Sequence, residues 1–175
     1  FLYEDSQIEE QARLTHTLLD RLIHKKFLST LDLESYLKFF PFKIQGPFST
    51  TVIRIAQKIE TDSLINLHEQ LLLFSKDFKS FSIPSLFSIF GENIVILNTQ
   101  YSDKKSFERL FKSIIRHIEK RNSNYRYFVG MSIPFNDLMQ FEKSHEEAKI
   151  AENISKQSQL KYYEDLGFLG NFIAN

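Results

Sequence analysis

Between Tyr127 and Ala151 the chain leaves itself few ways to fold. Tyr127-Phe-Val-Gly-Met-Ser is a short apolar run interrupted by a glycine, Pro134 and Asn136 mark a polar turn, and the next segment carries small residues at Ser144, Ala148 and Ala151. Steps of four and three put those three residues on one face of a helix. A face without bulk lets a helix lie close on a sheet, so the pattern predicts a strand feeding a close-packed helix.

The remaining segments fall into a recognisable order around this unit. From Asp5 to Phe27, Ile8, Ala12, Thr15, Leu19 and Leu22 step by four and three, with Leu18 and Ile23 widening the stripe. That predicts a helix with one apolar face, which either lies on its own domain or continues from upstream as a parallel dimer helix. A second helix is expected around Leu33 to Phe40, stopped by Pro41. Gly46 and Pro47 then break the pattern, dividing an N-terminal helical segment (1–46) from the main domain (47–175). Phe39, Phe40, Phe42 and Phe48 crowd this junction and either bind the two parts together or seat a partner.

After the break, Thr50-Thr-Val-Ile-Arg-Ile-Ala is β-branched and reads as a strand. Thr61 or Asp62 is expected to cap a helix whose Leu64, Leu67, Leu71, Phe74 and Phe78 share a face. Ser85 to Phe90 and Asn93 to Leu97 read as a hairpin closed by Gly91-Glu92. Ser102 is expected to cap a helix striped by Phe107, Leu110, Phe111, Ile114 and Ile118. Tyr127 to Ser132 is a further strand, Asn136 the expected cap of the small-residue helix, and Leu160 to Tyr163 an edge strand. The order β-α-β-β-α-β-α-β predicts an α+β fold on a ferredoxin-like β-α-β-β-α-β core with an N-terminal helical extension.

Composition narrows the function classes. There are 22 basic and 22 acidic residues, so no electrostatic footprint for nucleic acid or an anionic membrane is visible. The absence of cysteine removes disulfides and thiolate metal sites and fits a reducing, cytoplasmic setting. No apolar run approaches the roughly 20 residues needed to cross a bilayer. A chain that starts at Phe1 is expected to be a piece of a longer protein.

The strand from Tyr127 to Ser132, the helix written Ser144-His-Glu-Glu-Ala148 and the segment Tyr162-Tyr-Glu-Asp-Leu-Gly167 together resemble the GGDEF-like domain of bacterial transcriptional regulators of the CdaR/PucR type. A related module occurs in some AraC-type response regulators. The resemblance implies a central regulatory domain that relays a signal and dimerises. It also implies a helix-turn-helix domain attached C-terminal to this chain, with no direct nucleic-acid contact by the chain itself.

An active cyclase of that family needs carboxylates for hard cations and a turn that approaches phosphates closely. Where the family has its first metal aspartate this chain reads Ile53-Arg54-Ile55-Ala56-Gln57-Lys58, and in place of the Gly-Gly-Asp/Glu-Glu-Phe hairpin it reads Phe90-Gly91-Glu92-Asn93-Ile94. The expectation is therefore a chain that is not an enzyme, with no catalytic residue, metal or cofactor. One alternative keeps the degenerate cleft as a nucleotide or small-anion sensor, with Arg54 and Gly91 at the anion. Another, an active cyclase, would need carboxylates such as Glu92 with Glu60 or Asp62 to build a metal site. His16, His24, His68, His117 and His145 form no paired metal motif, and Ser144 lacks the strand-turn-helix setting of a nucleophile.

Overall fold

The computed structural model describes residues 2–57, 64–81, 83–121, 125–156 and 159–167. Helices α1 (Leu2–Ile23) and α2 (Thr30–Leu37) precede β1 (Ser49–Gln57), which is followed by α3 (Leu64–Lys79). The hairpin β2 (Ser85–Phe90) and β3 (Asn93–Asn98), then α4 (Lys104–Arg121), β4 (Tyr125–Met131), α5 (Phe141–Asn153) and β5 (Leu160–Tyr162) complete the order. The strands form one sheet in the order β2-β3-β1-β4-β5. β1 runs antiparallel to both β3 and β4, β2 is antiparallel to β3, and β5 is parallel to β4. β1 and β2 thus point the same way with β3 between them, which is the split β-α-β arrangement the sequence predicts.

Both faces of the sheet are covered, because successive side chains on a strand point to opposite sides. Ile53 and Ile55 of β1 turn to a core built with Phe74 and Phe78 of α3, Phe111 and Ile114 of α4, and Tyr127 of β4. Val52, between them, turns to a second core with Leu18, Leu19 and Leu22 of α1, Leu33 of α2, and Phe141 and Ala148 of α5. The C-terminal half of α1 therefore lies on its own domain. Phe40 and Phe48 join that second core, while Phe39 and Phe42 of the aromatic cluster stay exposed.

Local details depart from expectation where short-range chemistry decides. Asp103, not Ser102, caps α4: its carboxylate accepts from the Lys105 and Ser106 N–H groups and from the Ser106 hydroxyl at 3.3, 3.2 and 2.6 Å. A carboxylate has two oxygens to offer where serine has one, and these hydrogen bonds, led by the Ser106 hydroxyl, hold the Asp103 carboxyl below its usual range. Asp137 takes the place expected for Asn136, accepting from Met139 N at 3.0 Å at the start of a 3-10 turn that leads into α5. α2 ends at Leu37, four residues before Pro41. Leu110 is 44% exposed, since the α4 stripe turns Phe111, Ile114, Ile115 and Ile118 inward instead. The expected caps Thr61 and Asp62 lie outside the described residues, as do the side chains of Leu64 and Leu67. No helix among the described residues is long and apolar enough to cross a membrane.

Candidate functional site

The sheet presents one end where the C-terminal part of β1 meets the β2–β3 turn. Gly91 opens the two-residue turn at φ +63, a conformation that glycine adopts without steric cost, and Glu92 beside it is exposed. The register sets Arg54 of β1 opposite Asn93 of β3 on one side and Phe128 of β4 on the other. Arg54 and Gly91 are thus brought to the same end of the molecule.

Arg54 is not a lone cation. Its Nε donates to Glu152 Oε1 at 2.6 Å, and its guanidinium lies 4.3 Å from the centre of the Phe128 ring. Glu152 comes from the end of α5, and the pair is asymmetric, with the Arg54 side chain 36% exposed and that of Glu152 4%. The small-residue pattern explains how the carboxylate arrives. α5 lies so close on β4 that a Cβ built on Gly130 would stand 2.2 Å from both the Ala148 carbonyl oxygen and the Glu152 nitrogen. The sequence reading recognised the small face but missed Glu152, whose partner is 98 residues away along the chain.

Among the described residues the terminal nitrogens of Arg54 have no hydrogen-bond partner. Asn93 Oδ1 is buried without one as well. A half-exposed guanidinium with donors to spare, lying over an aromatic ring, is suited to an oxyanion such as phosphate or carboxylate. Its charge is largely balanced by Glu152, which weakens long-range attraction but leaves the donor geometry in place.

Buried polar groups support this end from both faces. On the α3 side Gln70 Nε2 donates to the Tyr127 hydroxyl at 2.6 Å, and burial pushes the Tyr127 phenol up to about 12, so it stays protonated. On the α1 side the His16 ring stacks on Phe90 with centroids 4.5 Å apart, and His16 Nδ1 lies 2.6 Å from Ser88 Oγ. Further along α5, Ser144 Oγ lies 2.6 Å from Thr50 Oγ1 and 2.8 Å from Ser132 Oγ. Ser144 is therefore a buried hydroxyl holding α5 on β1 and β4. Glu147 accepts from Ile133 N at 3.2 Å, and burial raises its carboxyl above the ordinary range. His145 stacks on Phe141, and burial, helped by the charges of Lys149 and His24, lowers its ring to about 4.

The other candidates disperse. His24 pairs with Asp20 at 3.2 Å, and His117 packs edge-on against Phe81. The His68 side chain, Glu60 and Asp62 lie outside the described residues. Among the described residues no group of three or more His, Asp or Glu side chains is placed to hold a metal ion.

A five-stranded sheet with a split β-α-β core, helices on both faces and a two-residue hairpin beside the end of β1 defines a domain of the cyclase and GGDEF fold class. The profile of the GGDEF-like domain family matches residues 25–154, and the chain belongs to that family. No curated protein sequence matches it.

Among solved structures it is similar to the catalytic core of a rhodopsin-guanylyl cyclase with converted specificity in complex with ATPalphaS, at 10% identity and a TM-score of 0.46, over 72% of this chain and 84% of that one. It is similar to the monomeric guanylyl cyclase domain of the RhoGC fusion protein of the aquatic fungus Blastocladiella emersonii, at 12% identity and a TM-score of 0.45, over 71% and 87%. It is also similar to the active GGEEF domain of a diguanylate cyclase from Vibrio cholerae, at 18% identity and a TM-score of 0.44, over 66% and 82%.

The expectation that the chain is not an enzyme is corrected by these neighbours, which are catalytic domains of guanylyl and diguanylate cyclases. Cyclase activity is an open outcome for this chain rather than an excluded one. The sequence reading counted carboxylates along β1 and the hairpin; Glu152, which α5 delivers to β1, is held there by Arg54.

Proposed function

We propose that this GGDEF-like domain is the central relay domain of a bacterial transcriptional regulator of the CdaR/PucR type. In this reading it works in the cytoplasm as a homodimer and is coupled to a helix-turn-helix domain attached C-terminal to it. The observation that supports the reading is the division of α1. Glu9, Glu10, Gln11, Ala12 and Arg13 are exposed, whereas Thr15, Leu18, Leu19 and Leu22 are buried. A helix anchored in a core by one half and free in the other transmits a rotation of its free half to the sheet as a rigid lever. Two free halves paired across a dimer would give such a lever two settings.

The test is sedimentation of the chain beside a variant lacking residues 1–13, which keeps Thr15, Leu18, Leu19 and Leu22, the buried positions of α1 among the described residues. The reading expects a dimer that becomes a folded monomer on truncation, with an unfolding midpoint that depends on protein concentration in the full chain and no longer does so in the variant. A chain already monomeric at high micromolar concentration would sink it, and so would a truncated chain that dimerised as before.

A second reading has its own support in the terminal nitrogens of Arg54 over Phe128, which have no hydrogen-bond partner among the described residues. There the hairpin end senses a nucleotide or another small anion. Calorimetric titration with GTP, ATP and cyclic di-GMP in the presence of Mg²⁺, followed by product analysis, tests it. Saturable binding that is lost in Arg54→Gln supports the sensor, the absence of binding removes it, and turnover assigns the domain a cyclase activity.

A further inference from the structure

One outer edge of the sheet is β2, and among the described residues its backbone is open. The two-residue turn makes Phe90 and Asn93 a hydrogen-bonded pair, and such pairs alternate along an antiparallel ladder. The bond from Thr99 N to the Pro84 carbonyl, at 3.0 Å, continues the same phase. Leu86, Ser88 and Phe90 therefore turn their N–H and carbonyl groups to β3, while Ser85, Phe87 and Ile89 turn theirs outward. No described residue hydrogen-bonds to those outward groups.

Exposed edges are ordinarily blunted by charge, proline or a bulge. Ser85-Leu-Phe-Ser-Ile-Phe90 carries no charged residue and no proline, and it pairs with β3 residue for residue without a bulge.

A groove of about 570 Å³ follows this edge. One wall is α1, with Gln11, Ala12 and Thr15, and the other is α3, with Leu72, Ser75 and Lys79. Leu72 is 52% exposed, so the α3 wall offers apolar surface to an occupant. The Lys79 ammonium lies 5.8 Å from the centre of the Phe87 ring and has no carboxylate partner among the described residues.

We propose that this groove is a strand-addition site for an extended acidic peptide, which pairs antiparallel with β2 and becomes a sixth strand. Outward donors and acceptors recurring every second residue, roughly 7 Å apart, match the repeat of a strand rather than a compact small molecule. The two helical walls admit a bare peptide, while the β2 edge of a second copy would bring its own walls and be kept out.

Side-chain preferences follow from register. Phe87 and Ile89 lie on the α3 side of the sheet, so peptide residues opposite them are apolar. The residue opposite Ser88 meets the His16 side and is small and polar. The residue opposite Ser85 points toward the Lys79 end of α3 and carries the carboxylate.

The probe is the capped peptide acetyl-Thr-Val-Thr-Val-Thr-Glu-amide, titrated into the chain while amide hydrogen exchange is followed by NMR. Binding should slow exchange at Phe87 and Ile89 by roughly tenfold or more, while Leu86, Ser88 and Phe90 are protected with or without peptide. N-methylation of both valines should abolish binding, and Lys79→Gln should weaken it by roughly two- to fivefold, the range of an exposed ion pair. Absence of slowing at Phe87 and Ile89 would overturn the site, as would slow exchange there in the free chain. Equal binding of the N-methylated peptide would show contact without strand pairing and would equally overturn it. Binding unchanged in Lys79→Gln would overturn the acidic requirement.

Discussion

Substitution of Gly130 by alanine tests whether the close approach of α5 to β4 organises this domain. The new Cβ would stand 2.2 Å from two backbone atoms of α5, where ordinary contact begins near 3.4 Å. Backbone cannot swing aside as a flexible side chain can, so α5 must retreat by about 1.2 Å to restore that contact. The retreat would stretch the Ser144 contacts with Thr50 and Ser132, now 2.6 and 2.8 Å, beyond hydrogen-bonding range. Two buried hydrogen bonds contribute about 2 kcal/mol, and overpacking a close-packed interface costs about 1–3 kcal/mol more. The gain from removing glycine flexibility in the unfolded chain returns under about 1 kcal/mol. The expected net loss is about 3 kcal/mol, a large part of the stability of an ordinary domain. With a urea slope of about 2 kcal/mol per molar, the unfolding midpoint should fall by about 1.5 M. A fall under about 0.5 M at unchanged slope would refute the reasoning, because it would mean that α5 accommodates the methyl group without moving.

Leu18→Ala, which empties a fully buried position of α1, should cost about 3 kcal/mol and lower Tm by about 9 °C, whereas Leu110→Ala should leave Tm nearly unchanged. Equal effects would contradict the inclusion of α1 in the core. Glu152→Gln keeps the volume but removes the charge from the Arg54 pair. Because Arg54 is more than a third exposed, the expected loss is only about 1 kcal/mol, shrinking at high salt, and a salt-independent loss would refute the ionic account.

Two groups on α5, the buried Glu147 and the half-buried His145, should bend the pH profile of stability in opposite directions. The Glu147 carboxyl is raised above its ordinary 4.5 by burial, so the folded state holds that proton more tightly and this contribution falls as pH rises past 4.5; Glu147→Gln should remove the decline. The His145 ring is lowered to about 4 by burial, so its contribution is present above the ordinary 6.5 and is lost as pH falls toward 4; His145→Gln should flatten that limb in urea midpoints taken from pH 4 to 7.

What could be read from the sequence was what repeats locally. β1 was legible because β-branched residues crowd it, the hairpin because Gly91-Glu92 interrupts two apolar runs, and the tight seat of α5 because Ser144, Ala148 and Ala151 share a face. The caps were missed by one residue each, since adjacent Ser102 and Asp103, or Asn136 and Asp137, are both competent and only the backbone decides which oxygen reaches the free N–H groups. Leu110 was misplaced because a stripe read at spacings of three and four leaves about one position of ambiguity on a helix of 18 residues. The partnership of Arg54 with Glu152 had no local signal at all. It is created by the approach of α5, so a reading that took each strand alone saw a cation without a counterion.

The alternation of Val52 with Ile53 and Ile55 along the middle strand has a mechanical meaning as well. Each helical layer is bolted to a different set of rivets on one shared beam, and much of what passes between the layers must pass through the backbone of that beam. Loosening the layer of α1 and α5 need not disturb that of α3 and α4. Such a domain can yield on one side while keeping its shape on the other.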